Sequence, residues 1–167
     1  MASNRNPPSK PTPKPARKPR PKSASPRPPG PARPPFAQLL KTAHELADLS
    51  GDILRPYFRK PIAVTDKGRD GAFDPVTAAD RAAERAIRRA LAERWPAHGL
   101  VGEELGTTRE EARLRWVIDP IDGTRAFIAG RDDWSVSVAL VEQGRPVLAA
   151  LFAPVTDELF LAVAGGG

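Results

Sequence analysis

The run Trp116-Val117-Ile118-Asp119-Pro120-Ile121-Asp122-Gly123-Thr124 leaves this chain few ways to fold around it. Three apolar residues rich in β-branched types read as a short buried strand. Asp119 falls where that strand is expected to end, because Pro120 lacks a donor for the ladder and fixes φ. Asp122 follows three residues later. Gly123 permits close approach of a ligand to the backbone, and Thr124 opens a segment, Arg125 to Ile128, that suits a helical turn. Two carboxylates and a hydroxyl therefore gather at a strand-to-helix corner beside backbone N–H groups. Carboxylates suit a hard cation and helix-start N–H groups suit an anion such as phosphate. Both aspartates could equally be ordinary turn residues, so other stretches must decide.

Composition narrows the chemistry. No cysteine is present, which excludes disulfides, thiolate metal sites and a cysteine nucleophile. The two histidines, His44 and His98, are too few for zinc hydrolase chemistry and leave oxygen ligands for any metal. No apolar run is long enough to span a membrane.

The formal net charge of +6 misleads. Nine of the 26 basic residues, and no acid, fall within residues 1–35, leaving 17 basic against all 20 acidic residues, a net of −3, in the body. Residues 1–35 are mostly Pro, Lys, Arg, Ser and Ala, with no large apolar side chain after Met1. Such a segment cannot bury enough surface to offset its ordering entropy, so a disordered, extended tail is expected. It lacks the apolar run of a secretory signal, so a cytoplasmic protein is expected. Nucleic-acid binding is expected to be at most a non-specific property of this tail.

From Phe36 the apolar residues Leu39, Leu40, Ala43, Leu46, Ala47 and Leu54 recur at helical spacing until Pro56. His44 lies on the polar side of that helix. Residues 61–73 read as a short strand followed by a polar loop. Thr77 with Asp80 three residues later forms a capping box for a helix over 78–94, with Ala83, Ile87 and Leu91 on one face and Pro96 beyond its end. The box accounts for Thr77 and Asp80 but not for Asp74, which lies upstream. Gly99 to Gly102 is a strand delivering Glu103 and Glu104, and residues 107–115 read as a loop. Three further strands, 134–141, 146–152 and 158–163, form an antiparallel meander, with residues 142–145 as a hairpin connection.

Taken in order, Asp74-Pro-Val-Thr-Ala-Ala-Asp80, Gly102-Glu103-Glu104, Asp119-Pro-Ile-Asp-Gly-Thr124 and the segment from Gly144 to Pro154 resemble the inositol monophosphatase-like family of magnesium-dependent, lithium-sensitive phosphomonoesterases. The resemblance spans residues 36–167. It implies an α+β fold, two helices on an antiparallel sheet, as the first domain of a layered α/β/α/β/α enzyme. It implies Mg²⁺ as cofactor, with Glu103 bridging the ions and helping to place the attacking water, Asp119 shared by two ions, the Ile121 carbonyl on the first and Asp122 on the second. Thr124 would orient that water with help from Asp74, and the N–H groups of Gly123 and Thr124 would hold the phosphate. Lys67 is a weaker match to a basic residue in a loop after the first helix.

The implied reaction is hydrolysis of a small phosphorylated metabolite by metal-activated water. Arg125-Ala126-Phe127-Ile128 is closer to histidinol-phosphate phosphatases and 3′(2′),5′-bisphosphate nucleotidases than to inositol phosphatases. The run from Ala153 to Leu159 leans towards the nucleotidases, hence 3′(2′)-phosphoadenosine 5′-phosphate. Histidinol phosphate and inositol phosphates remain alternatives. The family also carries a W-D-x-A motif in a second domain. Here the only Asp–Trp adjacency, Asp133-Trp134, has the wrong order. The chain is thus expected to be the first domain of a longer, homodimeric enzyme and, alone, to bind Mg²⁺ weakly and turn over poorly beside a full-length form. The competing expectation is a catalytically silent binding or dimerisation module.

Overall fold

The computed structural model describes residues 32–68 and 75–165, and the expected disorder of the tail falls almost wholly outside them. Residues 32–35 lead into helix α1 (Phe36–Leu54), and Arg33 already ion-pairs with Glu142. α1 buries Leu39, Ala43, Leu46, Ala47 and Leu54, the stripe its apolar spacing foretold. A two-stranded sheet follows, β1 (Val64–Asp66) against β2 (Pro75–Thr77). β2 was not legible in advance, because its three residues also read as the approach to a cap.

Thr77 does cap helix α2 (Ala78–Arg94), accepting from the Ala79 N–H at 3.1 Å, while the Asp80 carboxylate accepts from the Thr77 N–H at 2.8 Å. The remaining strands are β3 (Gly99–Gly102), β4 (Gly106–Thr108), β5 (Leu114–Asp122), β6 (Ser135–Glu142), β7 (Arg145–Ala153) and β8 (Glu158–Val163), with the short helix α3 (Thr124–Ile128) after β5. They form one six-stranded sheet in the order β4-β3-β5-β6-β7-β8.

Three expectations need correction. The sheet is mixed rather than antiparallel: β3 lies parallel to β5, with Gly102 opposite Ile118. Residues 106–108, which overlap the start of the loop expected over 107–115, pair with β3 as an edge strand. Pro120 does not end β5. The strand continues to Asp122 through a register shift, Asp119 opposite Ser137 and Asp122 opposite Ser135, and this bulge accommodates a residue without a donor.

α1 and α2 cover one sheet face, where Trp116, Ile118, Val138, Leu140 and Leu148 meet Leu39, Leu46, Ile87 and Leu91. Alternation along β5 to β8 sends Val117, Leu151 and Phe160 to the opposite face, where all three are exposed. Among the described residues no helix is long and apolar enough to cross a membrane.

His98 links α2 to the sheet. Its ring is buried, stacked on Trp95 with 5.3 Å between centroids, and its Nδ1 accepts from the Trp116 indole N–H at 3.1 Å. Burial pushes the imidazole pKa below its ordinary 6.5. As pH falls through that value the unfolded chain takes up a proton that the folded chain refuses, so stability is lost on the acid side. The difference in urea midpoint between wild type and His98→Asn, which keeps an acceptor near the Nδ1 position, is expected to shrink from pH 7 to pH 5.5. A constant difference would contradict this.

Candidate active site

Parallel pairing of β3 with β5 places the C-terminal ends of both strands side by side. Glu103 leaves β3 at the level of Asp119, and the Glu103 N–H donates to the Ile118 carbonyl at 3.2 Å. Acids from separate segments thus become neighbours through a backbone ladder. Asp122 closes β5 on the same corner.

Asp119 records the result. Burial first, then the hydrogen bond and charge of Glu103, then the charge of Asp122, push its pKa from 3.8 to about 7, with the Ile121 N–H partly offsetting them. Its Oδ1 is buried and has no hydrogen-bond partner. A carboxylate oxygen orphaned among like charges is costly unless a cation joins it. The donors around it are carboxylates and a carbonyl, which suit Mg²⁺, Ca²⁺ or Mn²⁺. As the side chains lie, no three histidines, aspartates or glutamates among the described residues are grouped so as to hold a metal ion. Lys67 is the cation they meet instead: its Nζ lies 2.6 Å from Glu104 and 3.4 Å from Glu103. Burial raises the Glu104 pKa, while the Lys67 hydrogen bond and charge oppose that rise.

The far side of the corner is built by α3 and α2. Gly123 adopts φ +93°, and an added Cβ would lie 3.0 Å from the Asp133 carbonyl, so both the turn and the close approach call for glycine. Behind α3, Phe127 meets Trp134 edge-on at 4.8 Å and Phe58 completes the cluster, holding the corner on a rigid base. The Thr124 hydroxyl lies 3.0 Å from the Ile121 carbonyl and 3.5 Å from Asp80 Oδ1, and can donate to one of them at a time. The Ile121 carbonyl has two lone pairs and can accept from Thr124 while facing another partner.

Glu103, Asp119, Ile121, Asp122, Gly123 and Thr124 are therefore brought to one corner. Asp74 lies outside the described residues. The carboxylate seen next to Thr124 is Asp80, buried at 1% exposure with its pKa raised by burial and by the charge of Glu103. Its cap role was legible. Its role beside Thr124 was hidden because the capping box left nothing to explain.

The sequence profile described as the inositol monophosphatase family matches residues 36–167. The chain belongs to that family. It is 40% identical over 129 residues to a histidinol-phosphatase of Chlorobaculum parvum, an alignment covering 77% of this chain and 49% of that protein. Among solved structures, an inositol monophosphatase from Zymomonas mobilis superposes with a TM-score of 0.66 at 44% identity, over 80% of this chain and 50% of that one. An IMPase/NADP phosphatase crystallised with Mg²⁺ and phosphate gives a TM-score of 0.68 at 25% identity, over 78% and 49%. The chain thus spans about half the length of these family members.

Proposed function

We propose that this chain supplies the cation- and phosphate-binding half of a phosphoric monoester hydrolase. The observation that carries the reading is Asp119 Oδ1, buried and unpartnered between Glu103 and Asp122. In this reading Glu103, Asp119, Asp122 and the Ile121 carbonyl hold divalent cations, and Mg²⁺ is favoured by the relative crystallised with Mg²⁺ and phosphate. Such ions would neutralise phosphoryl charge and acidify water near neutral pH. The protein's own part is positioning. The Thr124 hydroxyl, steadied by Asp80 or Ile121, orients the attacking water, and the N–H groups of Gly123 and Thr124 face the phosphate. The role given to Asp74 rests on the sequence resemblance alone.

Relatives named for histidinol phosphate and for inositol phosphate both match well, so both esters belong beside 3′-phosphoadenosine 5′-phosphate in the test. Phosphate release from these three is measured on the protein that carries this chain, with Mg²⁺ and with EDTA. Release that EDTA abolishes, and that Glu103→Gln lowers by about 100-fold or more, is expected. No cation-dependent release from any ester, or release indifferent to Glu103→Gln, would overturn the proposal.

A further inference from the structure

Glu84, on α2 one turn after Asp80, has no place in the chemistry above, yet its side chain is wholly buried. A charge taken fully out of water needs strong partners, and an apolar residue of similar size would often leave a protein more stable. The partners of Glu84 are specific. Its Oε2 accepts from the Glu104 N–H at 2.7 Å, and its Oε1 accepts from the Leu105 N–H at 3.2 Å and from Arg88 Nε at 2.7 Å. Arg88 in turn donates to the Gly106 carbonyl. A helix carboxylate therefore grips the turn between β3 and β4 immediately after Glu103. Gly102 makes room for it, since an added Cβ there would run into the Glu84 carboxylate.

Glu103 is thus fastened on both sides: its own N–H to the Ile118 carbonyl of β5, and the next two N–H groups to Glu84. We propose that Glu84 is a positioning residue that fixes the turn over 103–105, so that Glu103 is held beside Asp119 before any cation arrives. The inference rests on the proposed function and deepens it. Orientation fixed in the folded protein need not be supplied by the binding energy of the ion. Residues that orient metal ligands from behind are worth about 10–100-fold in metal affinity.

The test uses Mn²⁺ alone as probe, its uptake followed by electron paramagnetic resonance on the 167-residue chain. Glu84→Gln preserves size but puts an amide donor among donors. Its dissociation constant for Mn²⁺ is expected to rise about 10–100-fold, and the amide protons of Glu104 and Leu105 to exchange faster. Gly102→Ala attacks the same grip from the other side and is expected to do likewise. Leu91→Ala, a core truncation on the same helix, should lower the melting temperature without moving Mn²⁺ affinity. Unchanged affinity in Glu84→Gln, or a loss that Leu91→Ala matches, overturns the proposal. If Glu84→Gln does not fold, Gly102→Ala decides on the same criterion, and unfolding of both would assign Glu84 to the fold instead. A wild type that takes up no Mn²⁺ would be a different failure, that of the proposed function itself.

Discussion

Asp119→Asn is expected to stabilise the cation-free protein while removing its affinity for divalent cations. The wild-type carboxylate keeps one oxygen buried without a partner and faces the charges of Glu103 and Asp122. Relieving an unsatisfied buried group of this kind is worth about 1–3 kcal/mol, and the amide NH₂ can donate to Glu103. The gain has a definite pH dependence. Between the ordinary carboxylate value of 3.8 and the folded value of about 7, the unfolded chain ionises while the folded chain keeps its proton. The wild type is therefore penalised increasingly as pH rises through that window and fully above it. The stabilisation by Asn should be small near pH 4 and largest above pH 7, read as the difference in urea midpoint. Mn²⁺ affinity should fall by more than about 100-fold, since even groups that only orient a ligand are worth 10–100-fold. A variant that is less stable at pH 8, or that binds Mn²⁺ as the wild type does, would contradict this.

The largest loss of stability is expected from Trp116→Ala. Trp116 is fully buried on β5, between β3 and β6, and its indole N–H donates to His98 Nδ1 at 3.1 Å. Truncating a buried Trp costs about 3–5 kcal/mol, and the orphaned His98 acceptor adds about 1–3 kcal/mol. Together these approach the whole stability of an ordinary domain, roughly 5–15 kcal/mol. Circular dichroism at 37 °C should show the variant largely unfolded. Trp116→Phe retains most of the packing and should lose mainly the hydrogen bond. A Trp116→Ala midpoint within about 1 kcal/mol of wild type, below the ordinary range for such truncations, would mean that β5 is not the centre of the core.

Much of this was readable from residues alone, and the reasons differ by element. Helix α2 was legible at both ends, because Thr77 and Asp80 act locally and Arg94 is followed closely by Pro96. Strands β6 to β8 alternate cleanly and are joined by short connections, so their antiparallel order follows from neighbourhood in the chain. The parallel contact of β3 with β5 is different. Its partners are sixteen residues apart, Gly102 opposite Ile118, and nothing in either strand's own pattern specifies the other. That contact is also what brings Glu103 to Asp119. The acids could be named from the motif, but their convergence could not be derived from it. The place of Asp80 beside Thr124 and the grip of Glu84 on the 103–105 turn were hidden for opposite reasons. Asp80 had a sufficient local explanation, whereas Glu84 has the sequence setting of any surface acid on an Ala/Arg/Glu-rich helix, and only its burial sets it apart.

The most direct measurement is a nuclear magnetic resonance titration of the ¹⁵N-labelled chain with Mg²⁺. If acids at the ends of β3 and β5 hold one set of cations, the amides of Gly102–Leu105 and those of Ile118, Asp119 and Ile121–Thr124 should shift together along a shared saturation curve. Shifts confined to exposed acids of α1, such as Asp48 and Asp52, or independent curves for the two segments, would contradict the account.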